Sequence, residues 1–216
     1  MLKLYSYFQS SAAYRVRIAL ALKGIDAGQA AIDLLDRVAL PSFQQTINHQ
    51  GFVPALETDG HGLVVQSLAI IEYLDERYPE PPLLPAGLQS RAYVRAIAQM
   101  IACDIHPLAN LRVLRYLKRQ LGHDQLTIDN WYRHWVEDGL ERLESFVAGQ
   151  KQFGKFLFND NPSIADCLLV PQLHNAQRLD CDLSAIPILS AIGRHCAGLD
   201  AFRSAHPANQ PDARMS

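Results

Sequence analysis

Ser10 and Ser11 stand just before a segment of helical apolar spacing, Tyr14 to Lys23. Serine oxygens at a helix start lie beside N–H groups that have no partner within the helix, a place where an anion or a thiolate is stabilised. A plain N-cap is the simpler reading of these two residues by themselves. Val53-Pro54 leads into an apolar run. A cis bond there would turn the Val53 N–H and C=O outward for a peptide ligand to pair with in strand fashion, although trans is the default for X–Pro. Gln66-Ser67 then sets an amide and a hydroxyl at a second helix start, where a carboxylate is welcome and where Ser67 also suits a cap. Together the three features point to an anionic, peptide-like ligand.

Farther along, His106 and Asn110 are four residues apart, so they share a face if helical geometry survives Pro107. Arg112 and Arg178 offer the paired N–H donors that bind carboxylates, or they are surface charges or salt-bridge partners. Other chemistries lack their residues. The eight histidines are scattered, with no His or Cys pair at ligand spacing, so no metal is expected. Neither a Gly-x-Gly-x-x-Gly turn nor a Gly-x-Ser-x-Gly elbow is present.

The elements that must position these residues follow from periodicity. Residues 2 to 7 read as a strand, Tyr14 to Lys23 as a helix ended by Gly24, and Ala30 to Leu34 as a second strand. A polar stretch through Gln50 precedes a hairpin, Val53 to Glu57 and Leu63 to Val65 around Asp59-Gly60, and then a helix carrying Leu68, Ile70, Ile71 and Leu74. All three ligand features fall at the carboxyl ends of these strands or in the turns beside them, where small α/β sheets bind ligands. A breaker-rich segment from Pro79 to Pro85 marks a boundary. Beyond it, helices are expected near 91–120, 127–148, 163–178 and 186–197, with bends or breaks at Pro107 and Pro171. Ser163-Ile164-Ala165-Asp166 has the form of a capping box, a structural signal. The tail from Pro207 reads as loosely held chain.

The chain has 216 residues, 49% hydrophobic and 19% charged, with a net charge of -2. That is enough for one or two domains with a sizeable core, and it supplies no bulk attraction to nucleic acid or to an anionic membrane. No apolar run reaches the ~20 residues of a spanning helix, and the amino terminus lacks the long apolar core of a secretory signal. The four cysteines, Cys103, Cys167, Cys181 and Cys196, are too sparse for a disulfide framework and read as buried free thiols in a reducing cytoplasm.

The string Ser10-Ser11-Ala12-Ala13-Tyr14-Arg15-Val16-Arg17-Ile18-Ala19-Leu20 resembles the signature of zeta-class glutathione transferases, which include maleylacetoacetate and maleylpyruvate isomerases. The resemblance runs on through Val53 to Leu56, Gln66 to Leu74, Cys103 to Leu114, Ala165 to Gln172, and the ending Ala201-Phe202-Arg203 to Asp212. It implies a glutathione transferase fold: an α/β thioredoxin-like glutathione-binding domain over 1–80, a linker over 81–86 and an all-α substrate and dimer domain over 87–216. It also implies a cytoplasmic homodimer with each active site at the domain junction, with glutathione as cofactor and a small dicarboxylate as substrate.

By the same resemblance Val53 pairs with glutathione across a cis Pro54, Gln66 and Ser67 hold its γ-glutamyl end, and His106 and Asn110 add contacts. Ser10 and Ser11 stabilise the thiolate, and Arg112 and Arg178 bind the substrate carboxylates. The implied reaction is cis–trans isomerisation in the catabolism of aromatic rings and aromatic amino acids. The alternative is a general transferase or dehalogenase acting on small electrophilic acids. Ala12 stands where many relatives carry cysteine or threonine, and Gln9 where maleylpyruvate isomerases often carry arginine. The choice between the two isomerase substrates therefore stays open.

Overall fold

In the computed structural model, which describes residues 1–34, 36, 39–60 and 62–214, the strand β1 (Lys3–Ser6) is covered on both faces. Successive strand residues point to opposite sides. Tyr5 packs against Phe43 of a helix α2 (Ala39–Thr46) with ring centroids 5.6 Å apart, while Leu4 is fully buried on the other side. The sheet is completed by β2 (Gly28–Ala31), β3 (Ala55–Thr58) and β4 (Gly62–Val65), in the order β2-β1-β3-β4. β2 runs parallel to β1, and the other two pairings are antiparallel. Helices α1 (Ser11–Leu22) and α3 (Ser67–Arg77) contribute Val16, Ile18, Ile70, Ile71 and Leu74, all fully buried.

The chain divides into two compact units, Met1–Leu83 with Ala197–Ser216, and Leu84–Cys196. The second is helical: α4 (Leu88–Gln99), a π-helical turn Met100–Ile105, α5 (Leu111–Arg119), α6 (Gln125–Gln150), α7 (Ile164–Arg178) and α8 (Pro187–Ala197). Val136, Leu140, Leu143 and Val147 form one fully buried stripe on α6, the spacing of a core-facing helix. Glu144, on the same helix, accepts the N–H groups of Ile188 and Leu189, both at 2.9 Å, and so closes the exposed start of α8. α6 lies so near the π-helical turn that a Cβ on Gly139 would meet Ile105 Cγ1 at 2.6 Å.

At the start of α7 both arms of the capping box form. The Asp166 carboxylate accepts the Ser163 N–H and hydroxyl, each at 2.8 Å, and the Leu157 N–H at 2.9 Å. Burial pushes the Asp166 carboxyl up to about 6, against the pull of these donors. The helix runs on through Pro171.

The interruption expected at Pro107 is present: α4 passes into the π-helical turn, the chain turns at 106–110, where Pro107 offers no N–H, and α5 begins afresh. Several expectations need correction. The stretch before Gln50, expected as polar chain, contains α2, held by Phe43. β2 begins earlier than expected because pairing with β1, Lys3 to Gly28 and Ser6 to Ala31, sets an edge strand more than its own hydrophobicity does. Leu83, placed in the expected linker, is buried at 2% exposure and donates its N–H to Asp75, which also pairs with the Lys23 ammonium. The tail is firmly held. Residues from Ala197 on, placed in the helical domain by sequence, join the first unit through a helix α9 (Asp200–Ala205) packed on α1. Of the cysteines, none of which is in a disulfide, Cys167 and Cys196 are buried, Cys181 is half-buried and Cys103 is exposed.

Candidate active site

The strand register decides which loops meet in the first unit. Tyr5 pairs with Ala55, and Ala55 with Val65. The chain that follows β1, the chain that precedes β3 and the chain that follows β4 therefore leave one edge of the sheet together. That edge carries Ser10-Ser11, Val53-Pro54 and Gln66-Ser67.

Ser10 is the N-cap of α1, its hydroxyl accepting the Ala13 N–H at 3.2 Å, and Ser11 is buried in the first turn. The Val53–Pro54 bond is cis. Val53 is 7% exposed, and among the described residues its N–H and C=O have no hydrogen-bond partner. Buried backbone groups are rarely left so, and here they offer one donor and one acceptor to an extended ligand. Gln66 holds φ 72, a left-handed backbone costly for a side chain that is not glycine, and its amide donates to Gln50 Oε1 at 3.1 Å. Ser67, expected to cap α3, is instead its first residue, and its hydroxyl accepts from Arg15 Nη1 at 3.2 Å. Two helix N-termini thus open at this edge, a favourable place for negative charge.

The helical unit brings its predicted residues together only in part. His106 and Asn110 touch, with Asn110 Nδ2 and His106 Nε2 at 3.3 Å, across the turn that follows the π-helix. Asn110 also caps α5, accepting the Arg112 N–H at 3.0 Å. Arg112 lies exposed in the first turn of α5. Arg178 is exposed at the end of α7, where its charge acts on the Tyr132 hydroxyl, a group that burial pushes up. α5 and α7 both pack on α6, and among the described residues no hydrogen bond joins the two arginines. A separate open cavity of about 410 Å³ lies between the π-helical turn and α6, lined by Cys103, Trp135 and Arg142 among others, and none of the predicted residues lines it.

Arg15 and Gln50, which hold Ser67 and Gln66, were not among the residues read from the sequence. The signal for Arg15, as for Arg17, was a charged residue among the apolar positions of a helix; Gln50 carries no such mark.

Residues 4–82 match the glutathione S-transferase N-terminal domain family. The maleylacetoacetate isomerase of Pseudomonas aeruginosa is 45% identical, the match covering 98% of each chain. Among solved structures, the holo form of a maleylpyruvate isomerase, a bacterial zeta-class glutathione S-transferase, superposes with a TM-score of 0.91 at 42% identity, covering 97% of this chain and 99% of that one. A maleylacetoacetate isomerase from Anaeromyxobacter dehalogenans, with dicarboxyethyl glutathione and citrate bound in its active site, superposes with a TM-score of 0.87 at 44% identity, covering 99% and 97%. With a thioredoxin-like sheet, a helical second unit and such relatives over nearly its whole length, the chain has the glutathione transferase fold and belongs to the zeta-class glutathione transferase family of maleylacetoacetate and maleylpyruvate isomerases.

Proposed function

We propose that the protein is a glutathione-dependent cis–trans isomerase that converts maleylacetoacetate to fumarylacetoacetate, or maleylpyruvate to fumarylpyruvate, in the breakdown of aromatic rings and aromatic amino acids. The observation that carries this is the sheet edge, where a Val53 backbone unpartnered among the described residues shares the edge with two helix N-termini. These groups fit an extended anionic peptide such as glutathione. Val53 would pair with its cysteinyl backbone, Gln66 and Ser67 would hold the γ-glutamyl carboxylate at the start of α3, and His106 and Asn110 would add polar contacts.

When bound, glutathione supplies a sulfur nucleophile whose addition makes the substrate's double bond single, so that it can rotate before the sulfur is expelled unchanged. The hydroxyls of Ser10 and Ser11 and the N–H groups of the first turn of α1 favour the ionised thiol. Arg112 and Arg178 hold the substrate carboxylates and offset negative charge developing beside them. We further propose a cytoplasmic homodimer. None of the four thiols is in a disulfide, which suits a reducing compartment, and no described helix is long and apolar enough to cross a membrane.

The test is to incubate the protein with maleylacetoacetate and with maleylpyruvate, with and without glutathione, and to follow trans product and remaining thiol. Isomerisation that requires glutathione without consuming it is expected, and the two rates rank the substrates. No isomerisation, with thiol consumed by a panel of halogenated acids, would overturn the reading in favour of a transferase.

A further inference from the structure

The turn that carries Ser10 is gripped both from α1 and from the far end of the chain. Arg17, 4% exposed, spreads its guanidinium over four acceptors. Nε donates to the Ala205 carbonyl at 3.0 Å, Nη1 to Ser6 Oγ at 3.0 Å and the Tyr7 carbonyl at 3.4 Å, and Nη2 to the Phe8 carbonyl at 3.1 Å. The other side of the same turn is held by the tail, since the Phe8 N–H donates to Asp212 Oδ2 at 2.8 Å. The Ser10 N–H in turn donates to the Tyr7 carbonyl at 2.9 Å, so the gripped peptides lead directly into the N-cap.

The tail has its own anchor. Gln210, 4% exposed, donates to the carbonyls of Ser204 and His206 at 2.9 and 3.0 Å, and the Tyr14 hydroxyl donates to the Phe202 carbonyl at 3.3 Å. Asp212 is therefore delivered to Phe8 by a braced segment. Its charge also lies near Arg17, so the two grips are electrostatically linked across the Phe8 peptide.

We propose that Asp212 and Arg17 are positioning residues for the reaction, holding the Tyr7–Gln9 turn so that Ser10 and Ser11 present their hydroxyls to the glutathione sulfur. This rests on the thiolate role given to those serines above. A bound nucleophile is sensitive to placement, and a misplacement of about 1 Å can cost on the order of a hundredfold in rate.

Arg17 is too buried for a clean test, so the variants are Asp212→Ala, which removes the acceptor, and Asp212→Asn, which keeps an oxygen for the Phe8 N–H. Asn209→Ala removes a bond from Asn209 to the Arg203 carbonyl within the tail and serves as the control. The readout is the ultraviolet absorbance of the thiolate of bound glutathione as a function of pH, alongside kcat and KM and a urea unfolding midpoint. For Asp212→Ala we expect about tenfold less thiolate at a given pH and a matching fall in kcat, with KM for glutathione nearly unchanged. Asp212→Asn should restore most of both, and Asn209→Ala should lower the unfolding midpoint without moving the titration.

The double variant Ser10→Ala, Ser11→Ala separates the two claims. If it titrates like the wild type, the thiolate role fails and the clamp fails with it. If it loses thiolate while Asp212→Ala titrates like the wild type, the clamp alone is overturned and the tail contact is merely structural.

Discussion

Replacing Asp166 by alanine should cost the helical unit about 2–6 kcal/mol. The carboxylate is the acceptor for three donors, the N–H of Leu157, the N–H of Ser163 and the Ser163 hydroxyl, and all the distances lie between 2.8 and 2.9 Å. Asp166 is 0% and Ser163 3% exposed, so bulk water does not step in. An orphaned buried donor costs about 1–3 kcal/mol. The hydroxyl can rotate toward another acceptor, but the two N–H groups cannot, and their loss sets the lower end of the range. Against a total stability of about 5–15 kcal/mol, this is a large fraction. Urea unfolding followed by tryptophan fluorescence is a suitable assay, because both tryptophans, Trp131 and Trp135, lie on α6 of the same unit. Ser163→Ala, which leaves the Ser163 N–H bonded to Asp166, should cost only about 1 kcal/mol. A loss under about 1 kcal/mol for Asp166→Ala would refute the reasoning, since it would mean that the freed donors find other partners.

The same carboxyl gives a pH dependence of defined sign. Its folded pKa of about 6 lies above the ordinary value of 3.8, so the fold holds the proton longer than the unfolded chain does. The resulting stabilisation is complete below pH 3.8 and is lost as pH rises through 6. The wild type's advantage over Asp166→Ala should therefore be greater at low pH than at pH 7 by up to about 3 kcal/mol, which paired urea titrations will check. Gly139→Ala would drive a Cβ to 2.6 Å from Ile105 Cγ1, and a loss of about 1–3 kcal/mol in thermal or urea unfolding is expected; an unchanged midpoint would show that the π-helical turn yields freely. Arg178→Ala should lower kcat/KM for the dicarboxylate about a hundredfold while glutathione binding by calorimetry is retained, and unchanged kinetics would remove its role.

Much of this was legible before any coordinates, where local chemistry and tertiary demand agree. Val16 and Ile18 marked α1, Asp59-Gly60 marked the hairpin turn, and Ser163 with Asp166 announced the start of α7, all from short-range signals. The hidden parts depend on distant partners. α2 and the residue that follows it carry Leu40, Phe43 and Ile47 at helical spacing, but their polar neighbours and Pro41 mask a helix whose reason for existing is Tyr5 on a strand far earlier in the chain. The tail looked like loose chain because Gln210 and Asp212 are polar, and what holds them is backbone of other segments. Of the candidate site, residue types and the edge they share were readable. The left-handed backbone at Gln66 and the capture of the Ser67 hydroxyl by Arg15 were not, because each is set by the surrounding fold and neither by its own neighbours in sequence.

The first unit is assembled from both ends of the chain, with Ala197–Ser216 completing what Met1–Leu83 begins. On a ribosome this has a temporal meaning. At about 5–20 residues per second, the strand β1 and helix α1 emerge on the order of 10–40 s before Asp212 is made. In that interval the guanidinium of Arg17 lacks the Ala205 carbonyl and the N–H of Phe8 lacks its carboxylate. The helical unit, contiguous from Leu84 to Cys196, can finish folding before the unit that precedes it. The order of maturation is then the reverse of the order of synthesis, and the Ser10 turn takes its final form only when the segment from Ala197 onward arrives.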